Sequence, residues 1–298
     1  MAEVKKEQTI KPRDVQKLLS DPRYRIELHN LVHQETERAY KSVEGLSVQT
    51  QDIEGVAKKA ISDFEEATKN LRTIIAYGCY FGTKDQAYLW NGALNRLATE
   101  PQVAGSTFLL TLQLYPSLLA MYAGGLSALS ASNLGNLKSI FKVQSTSSAR
   151  DPRELVLEAN CTMLGNAGNQ LLGYERRKTP LSDHLFELFD ESLPKELSFG
   201  QDFALLFDKW EILIGMVVAD IYRGRGRNTG LGGWAPVGRF SWRGEYSDGA
   251  SLKVVRKELE LEKSNWGPLK AGLFDGSEAR AKEALSVVEQ VAAKVGFF

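Results

Sequence analysis

"VAGSTFLLTLQLYPSLLAMYAGGLSALSASNLGNL", residues 103–137, decides how this chain is read. From Pro101 to Leu137 there is no Asp, Glu, Lys or Arg. Such a run is either a membrane span or the buried centre of a helical protein. A span needs about 20 predominantly apolar residues in succession. Here Thr107, Thr111, Gln113, Ser117, Ser127 and Ser130 interrupt the apolar surface. Pro116 removes a backbone donor and disfavours helix at Tyr115, so a break falls inside the segment. Gly124 and Gly125 weaken its second half. The flanks offer Arg96 on one side and Lys138 and Lys142 on the other, without the basic cluster that orients a membrane helix. The pattern predicts two short helices buried on nearly all sides, with residues 123–125 small enough for another backbone to approach. No constitutive membrane insertion is expected.

Composition agrees with a packed core. The chain has 298 residues, 43% apolar and 25% charged, and its formal net charge is zero. That describes a globular chain with room for one large or two ordinary domains. Neither half is a polyelectrolyte, so bulk charge does not argue for nucleic acid or an anionic membrane. Cys79 and Cys161 lack metal-ligand spacing and read as two reduced, packed thiols, with a single bridge as the alternative. The first residues, "MAEVKKEQTIKPRD", show no apolar run or cleavage pattern, so a cytoplasmic location is expected.

Working outward, residues 1–12 read as a flexible tail. Asp21-Pro22 opens a helix, Asp as cap and Pro at its first position. Leu28, Leu31, Val32, Ala39, Tyr40 and Val43 follow at helical spacing. Residues 52–77 and 86–98 give a second and a third helix. A polar stretch, 144–152, reads as a linker between an N-terminal helical unit (13–143) and a C-terminal one (153–298). In the latter, helices fit 152–164, 181–191 and 200–222, and Ser277 caps a closing helix. The expected fold is mainly α, a bundle-like body with a small β-containing insertion near 234–262.

The most distinctive patch is Gly-rich and basic. Arg223, Arg225, Arg227, Arg239 and Arg243 alternate with Trp234, Phe240 and Trp242. Guanidinium groups on phosphates and aromatic rings on bases suit single-stranded nucleic acid. The same residue types dominate protein interfaces, so docking on a protein partner or on a second copy is expected ahead of nucleic acid. Glycine-permitted turns that fold the aromatics back onto the core are the structural alternative. "GRGRNTGLGG" follows a helix and lacks the Gly-Lys-Ser/Thr ending, which excludes a P-loop.

For catalysis the candidates are two Arg–His pairs, Arg177 with His184 and Arg23 with His29, at spacings found in helical ribonucleases. His29, His33 and Glu37 share a helix face in the outline of a metal site, but "HNLVH" lacks the glutamate of the zinc-protease motif, and no metal is expected. No Gly-x-Ser-x-Gly elbow occurs. Glu154 with Glu158, and Asp208 with Glu211, read as solvated or ion-pairing carboxylates. No cofactor is expected.

Three strings carry a resemblance: Tyr115-Pro116, Tyr122 to Gly125, and Gly238-Arg239-Phe240. Around them, residues 90–245 resemble a helical region of prokaryotic antiphage (conflict) proteins, where it is often attached to a separate effector such as a Toll/interleukin-receptor-like or other nucleotide-processing domain. No effector domain precedes the helical region in this sequence. The resemblance implies a sensing, scaffolding or regulatory component whose enzymatic partner is another polypeptide. A non-enzymatic interaction protein is therefore the leading expectation. A helical ribonuclease and a membrane-disrupting effector using residues 103–131 are the alternatives.

Overall fold

The computed structural model describes residues 9–148, 150–171, 173–174, 176–198, 202–226, 233–243 and 251–296. The chain is mainly α-helical with one small two-stranded antiparallel sheet.

The first helices are α1 (Pro12–Ser20), α2 (Arg25–Glu44), α3 (Ile53–Phe81) and α4 (Ala87–Leu97). Their starts follow the local chemistry. Asp21 accepts the backbone N–H of Arg23, and Pro22 opens the turn that feeds α2. Asp52 accepts the N–H of Gly55 at the head of α3. The Gln86 side chain reaches back to the N–H of Thr83 ahead of α4. Side-chain acceptors of this kind satisfy donors that a helix leaves open at its first turn.

The uncharged stretch forms α5 (Thr107–Leu112) and α6 (Tyr115–Ser130), followed by α7 (Leu134–Phe141). Two helices do form, but the break comes before Tyr115, and Pro116 sits in the first turn of α6 where its missing N–H costs nothing. Every residue from Tyr115 to Ala128 is buried. Thr107–Ser130 is long and apolar enough to cross a membrane, and 89% of its apolar 18-residue window is buried inside the structure. α3 packs along one side of α6, and α11 (Phe203–Gly224) along another. The close approach that residues 123–125 allow is made by a side chain rather than a backbone. A Cβ on Gly125 would lie 2.1 Å from Cζ2 of Trp210, which is fully buried on α11.

The sheet lies elsewhere than expected. Residues 144–152 are part of a hairpin, β1 (Gln144–Ser147) paired with β2 (Arg150–Glu154) in the register Gln144↔Glu154 and Ser145↔Arg153. Thr146 also bonds to the Ala98 carbonyl and the Glu100 N–H, tying the hairpin to the end of α4. A polar Ser/Thr stretch suits an exposed two-stranded ribbon as well as a linker, and composition does not separate the two. Where it is described, the 234–262 region carries no strand. It forms α12 (Phe240–Arg243) and α13 (Ser251–Glu262), the latter set by Val255 and Leu259, buried one turn apart. Residues 244–250 lie outside the described residues.

The remaining helices are α8 (Leu155–Glu158), α9 (Gly165–Gly168), α10 (Pro180–Ser192), α14 (Gly267–Lys270) and α15 (Glu278–Gly296). α11 is capped by Asp202, which accepts the N–H groups of Ala204 and Leu205, and it packs against α6, α10, α13 and α15. Cys79 and Cys161 are both free and buried.

Candidate functional site

The described end of the Arg/Trp segment, residues 233–242, packs against the body of the chain. Arg239 and Phe240 are 4% and 3% exposed. The Arg239 guanidinium lies 3.3 Å from the ring centre of Phe186 on α10, and its Nε is 3.9 Å from Oδ1 of Asp208 on α11. Its Nε and Nη1 make no hydrogen bond among the described residues. Trp242 is half-buried and donates Nε1–H to Thr179 Oγ1 at 2.9 Å. Trp234 is half-buried, its ring edge-on to Tyr222 at 5.6 Å. Arg223 pairs with Glu283 at 2.8 Å, and Arg225 with Glu154 at 2.5 Å. Arg227 lies outside the described residues, and only the backbone of Arg243 is placed. The described residues of this segment do not form one exposed strip. Arginine and aromatic side chains stack on the chain's own rings for the same reason that they stack on a partner's.

Arg177 and His184 are brought together, through Tyr174. His184, on α10, places Nε2 2.7 Å from Oε1 of Glu65 on α3, and the same oxygen accepts the Tyr115 hydroxyl at 2.8 Å. The Tyr174 ring stands edge-on to His184 at 5.3 Å, and the Arg177 guanidinium lies 4.4 Å from the Tyr174 ring centre. Arg177 and the Tyr174 hydroxyl both bind Glu187, one turn beyond His184. The Tyr174 bond, with Arg177 helping, holds the Glu187 carboxyl below its ordinary value against partial desolvation. Behind them Arg72 is buried, donating Nη2–H to the Glu65 carbonyl at 3.0 Å with its Nε and Nη1 unbonded. Burial pushes the Tyr115 hydroxyl well up, with Glu65 adding to the shift.

A second polar centre lies along the same helices. Glu211 on α11, which the sequence reads with Asp208 as a solvated or ion-pairing carboxylate, is 2% exposed. Its Oε1 accepts Tyr122 OH at 3.0 Å, and its Oε2 accepts the Ser182 hydroxyl at 2.8 Å. Burial, with Asp208 and Asp183 adding to it, pushes this carboxyl up to about 8. Ser182 Oγ in turn accepts the Arg239 backbone N–H at 2.8 Å. Gly238 lies directly on the carboxyl, where a Cβ would come 2.0 Å from Oε2. Tyr115 and Tyr122 are two turns apart on one face of α6. Phe189, stacked on Tyr122 at 6.0 Å and beneath Arg72 at 5.7 Å, connects the two centres. Tyr115, Tyr122 and Gly238 thus border two polar centres connected through Phe189. Glu65, Arg72, Ser182 and Glu211 are members that sequence reasoning missed. The available signal was charge inside an apolar stripe: Arg72 between Leu71 and Ile74, and Glu211 between Trp210 and Ile212.

The other candidates stay apart. Arg23 is turned to Asp21 at 2.6 Å, while exposed His29 stacks parallel to His33 at 6.5 Å. Glu37 is held by Arg96 through two bonds of 2.7 and 3.2 Å. Among the described residues no group of three His, Cys, Asp or Glu is placed to hold a metal. His29, His33 and Tyr88 instead line a surface cleft of about 320 Å³ between α2 and α4, with Arg96 and Glu37 also in its wall. Tyr88 is 46% exposed, Arg25 lies 6.0 Å from its ring centre, and neighbouring Ile26 is 74% exposed.

Chemically, the first centre can orient an imidazole against a carboxylate beside two guanidinium groups. The second stores a proton on a buried acid. Compared with known proteins, the chain matches no family model, no curated protein and no solved structure at a significant level.

Proposed function

We propose that this chain is a non-enzymatic helical interaction protein of the cytoplasm, a sensing or scaffolding component of a prokaryotic antiviral defence system, and that it docks a protein partner through the α2–α4 face. The observation that carries this reading is the exposure of Ile26 at 74% and Tyr88 at 46%, with Arg25 6.0 Å from the Tyr88 ring centre and Tyr88 lining a cleft. Exposed aromatic, arginine and large apolar side chains beside a concavity are the usual anchors of an interface. The resemblance of the Tyr115-Pro116, Tyr122–Gly125 and Gly238-Arg239-Phe240 strings to antiphage helical regions supports the biological setting. The test is Ile26→Asp combined with Tyr88→Ala, expressed from the native locus. Recovered partner proteins and protection against phage should both fall, while the helical circular dichroism stays that of the wild type. A folded double variant that keeps its partners and its protection defeats the proposal.

A second reading, a helical ribonuclease, is favoured by one observation, the Arg177–Tyr174–His184–Glu65 cluster. It predicts cleavage of total RNA by the purified chain that His184→Ala abolishes and Glu65→Gln lowers by about a hundredfold, the scale of a lost general acid–base group. Cleavage indifferent to both variants, or none at all, removes this reading.

A further inference from the structure

We infer that the α2–α4 cleft accepts an acidic segment of a partner protein, with one apolar side chain of that segment entering the cleft and its carboxylates meeting Arg25, His29 and His33. This rests on the docking reading of the same face and names the chemistry of its occupant.

The shape suits an inserted side chain. The cleft measures about 320 Å³, and Val32, Leu89, Gly92 and Ala93 make the apolar and small part of its lining. Gly92 is exposed, and a Cβ there would meet nothing within 4 Å. The concavity therefore owes part of its depth to a missing side chain on α4.

The charges select the occupant. Among the described residues Glu37 is the one carboxylate in the lining, and Arg96 binds both of its oxygens, at 2.7 and 3.2 Å. Arg25, His29 and His33 are exposed. None of these three side chains makes a hydrogen bond or ion pair among the described residues. Arg25 approaches only the Tyr88 ring, and the imidazoles stack only on each other. The unengaged donors of this face can all carry positive charge, while its carboxylate is already bound. Glu37 is also near enough to His33 to feel its charge. Lys84 and Asp85, in the turn before α4, are opposite in sign.

Nucleic acid needs a row of cations along its phosphates, and this face offers one unpaired arginine. A protein segment with a few carboxylates needs less, because imidazolium and guanidinium each donate charge-assisted N–H bonds to a carboxylate. Histidine changes its charge between about pH 5 and about pH 8, where carboxylates stay ionised. Docking is therefore tighter on the acid side of that range, and binding takes up protons.

The test uses the purified full chain and labelled amphipathic helical peptides that share one row of leucines and carry Glu, Gln or Lys on the polar face. A labelled oligothymidylate is the nucleic-acid probe. Fluorescence anisotropy should rank the Glu peptide above the Gln and Lys peptides and above the oligonucleotide. Affinity for the Glu peptide should rise about tenfold from about pH 8 to about pH 6, the scale of one charge-assisted hydrogen bond. His29→Gln combined with His33→Gln should bind it equally at both pH values, and Arg25→Gln should weaken it by a similar factor at both. Gly92→Leu should bind no peptide while unfolding no earlier than the wild type, since leucine is the better helix former. The inference is overturned if the Lys peptide or the oligonucleotide binds as well as the Glu peptide, if wild-type affinity does not change with pH, or if the double histidine variant keeps the change. Any of those results beside lost partner capture in the Ile26/Tyr88 variant removes the acidic occupant and leaves the docking face. Retained capture beside the expected peptide results removes the docking reading instead.

Discussion

Glu211 concentrates the physical chemistry of this molecule at one residue. Its carboxyl is buried beneath Gly238, between hydroxyls of Tyr122 and Ser182, and burial pushes it from the ordinary 4.5 up to about 8. The other ionisable groups that bear on it are Asp208 on α11, Asp183 on α10 and the thiol of Cys161. The folded chain keeps a proton there that the unfolded chain releases. The folded state therefore binds more protons between those two values. The group's contribution to stability is full below the unfolded value, is lost as pH rises towards about 8, and is constant above it. Glu211→Gln keeps the shape and removes the titration. Urea midpoints measured from about pH 5 to about pH 9 should show the variant gaining on the wild type across this window, by on the order of a few kcal/mol at the alkaline end. A constant difference between the two proteins at every pH would mean that Glu211 is ionised throughout.

At the scale of elements, the contact between α6 and α11 depends on the absence of a side chain. Trp210 lies between Phe141, at 5.2 Å between ring centres, and Tyr122, edge-on at 6.2 Å, and its ring runs over Gly125. Gly125→Ala gains about 1 kcal/mol of helix propensity but drives a methyl into a fixed indole, and overpacking of that kind costs about 1–3 kcal/mol. Net destabilisation is expected. Gly124→Ala meets Cys79 Sγ and Ile75 Cγ2 at 3.1 Å, atoms that yield by a few tenths of an ångström, and should be close to neutral. Urea curves of the two variants, with near-ultraviolet circular dichroism as the report on Trp210, distinguish them; equal effects would mean that the indole moves freely. The small pair at 124–125 is visible in the sequence as a place of close approach, as are the cap at Asp21 and the apolar stripes of α2, α3 and α11. These are local: a cap or a helical repeat acts within a few residues. What stayed hidden depends on distant partners. Arg239 and Trp242 read as either a surface strip or side chains folded back onto the core, because nothing nearby announces that Phe186 and Thr179 receive them. His184 and Arg177 were visible as a pair, but Glu65, 119 positions from His184, was not. Gln144–Glu154 forms a hairpin because α4's end offers it backbone partners, which its polarity does not reveal.

For the whole molecule, the decisive fact is that its most apolar helix is enclosed by helices from distant parts of the chain. α6 packs against α3, and through Tyr122 and Gly125 against Glu211 and Trp210 of α11. Ser130 adds a bond to the Leu197 carbonyl at 2.6 Å. Tyr115 to Ala128 are all buried, so α6 cannot present an apolar face to lipid while these contacts stand. Releasing it exposes the partner faces of α3 and α11 as well, and strands Glu65, Arg72 and Glu211, whose hydroxyl and ring partners sit on α6 or are packed against it. Bilayer access is therefore expected to require loss of the surrounding core packing. The expectation is that the folded chain leaves vesicles intact, and that dye leakage rises only across the urea range in which far-ultraviolet circular dichroism and tryptophan fluorescence are lost together. Leakage well below that transition, with both signals native, would show that α6 departs without the rest of the core and would restore the membrane-disrupting reading of residues 103–131.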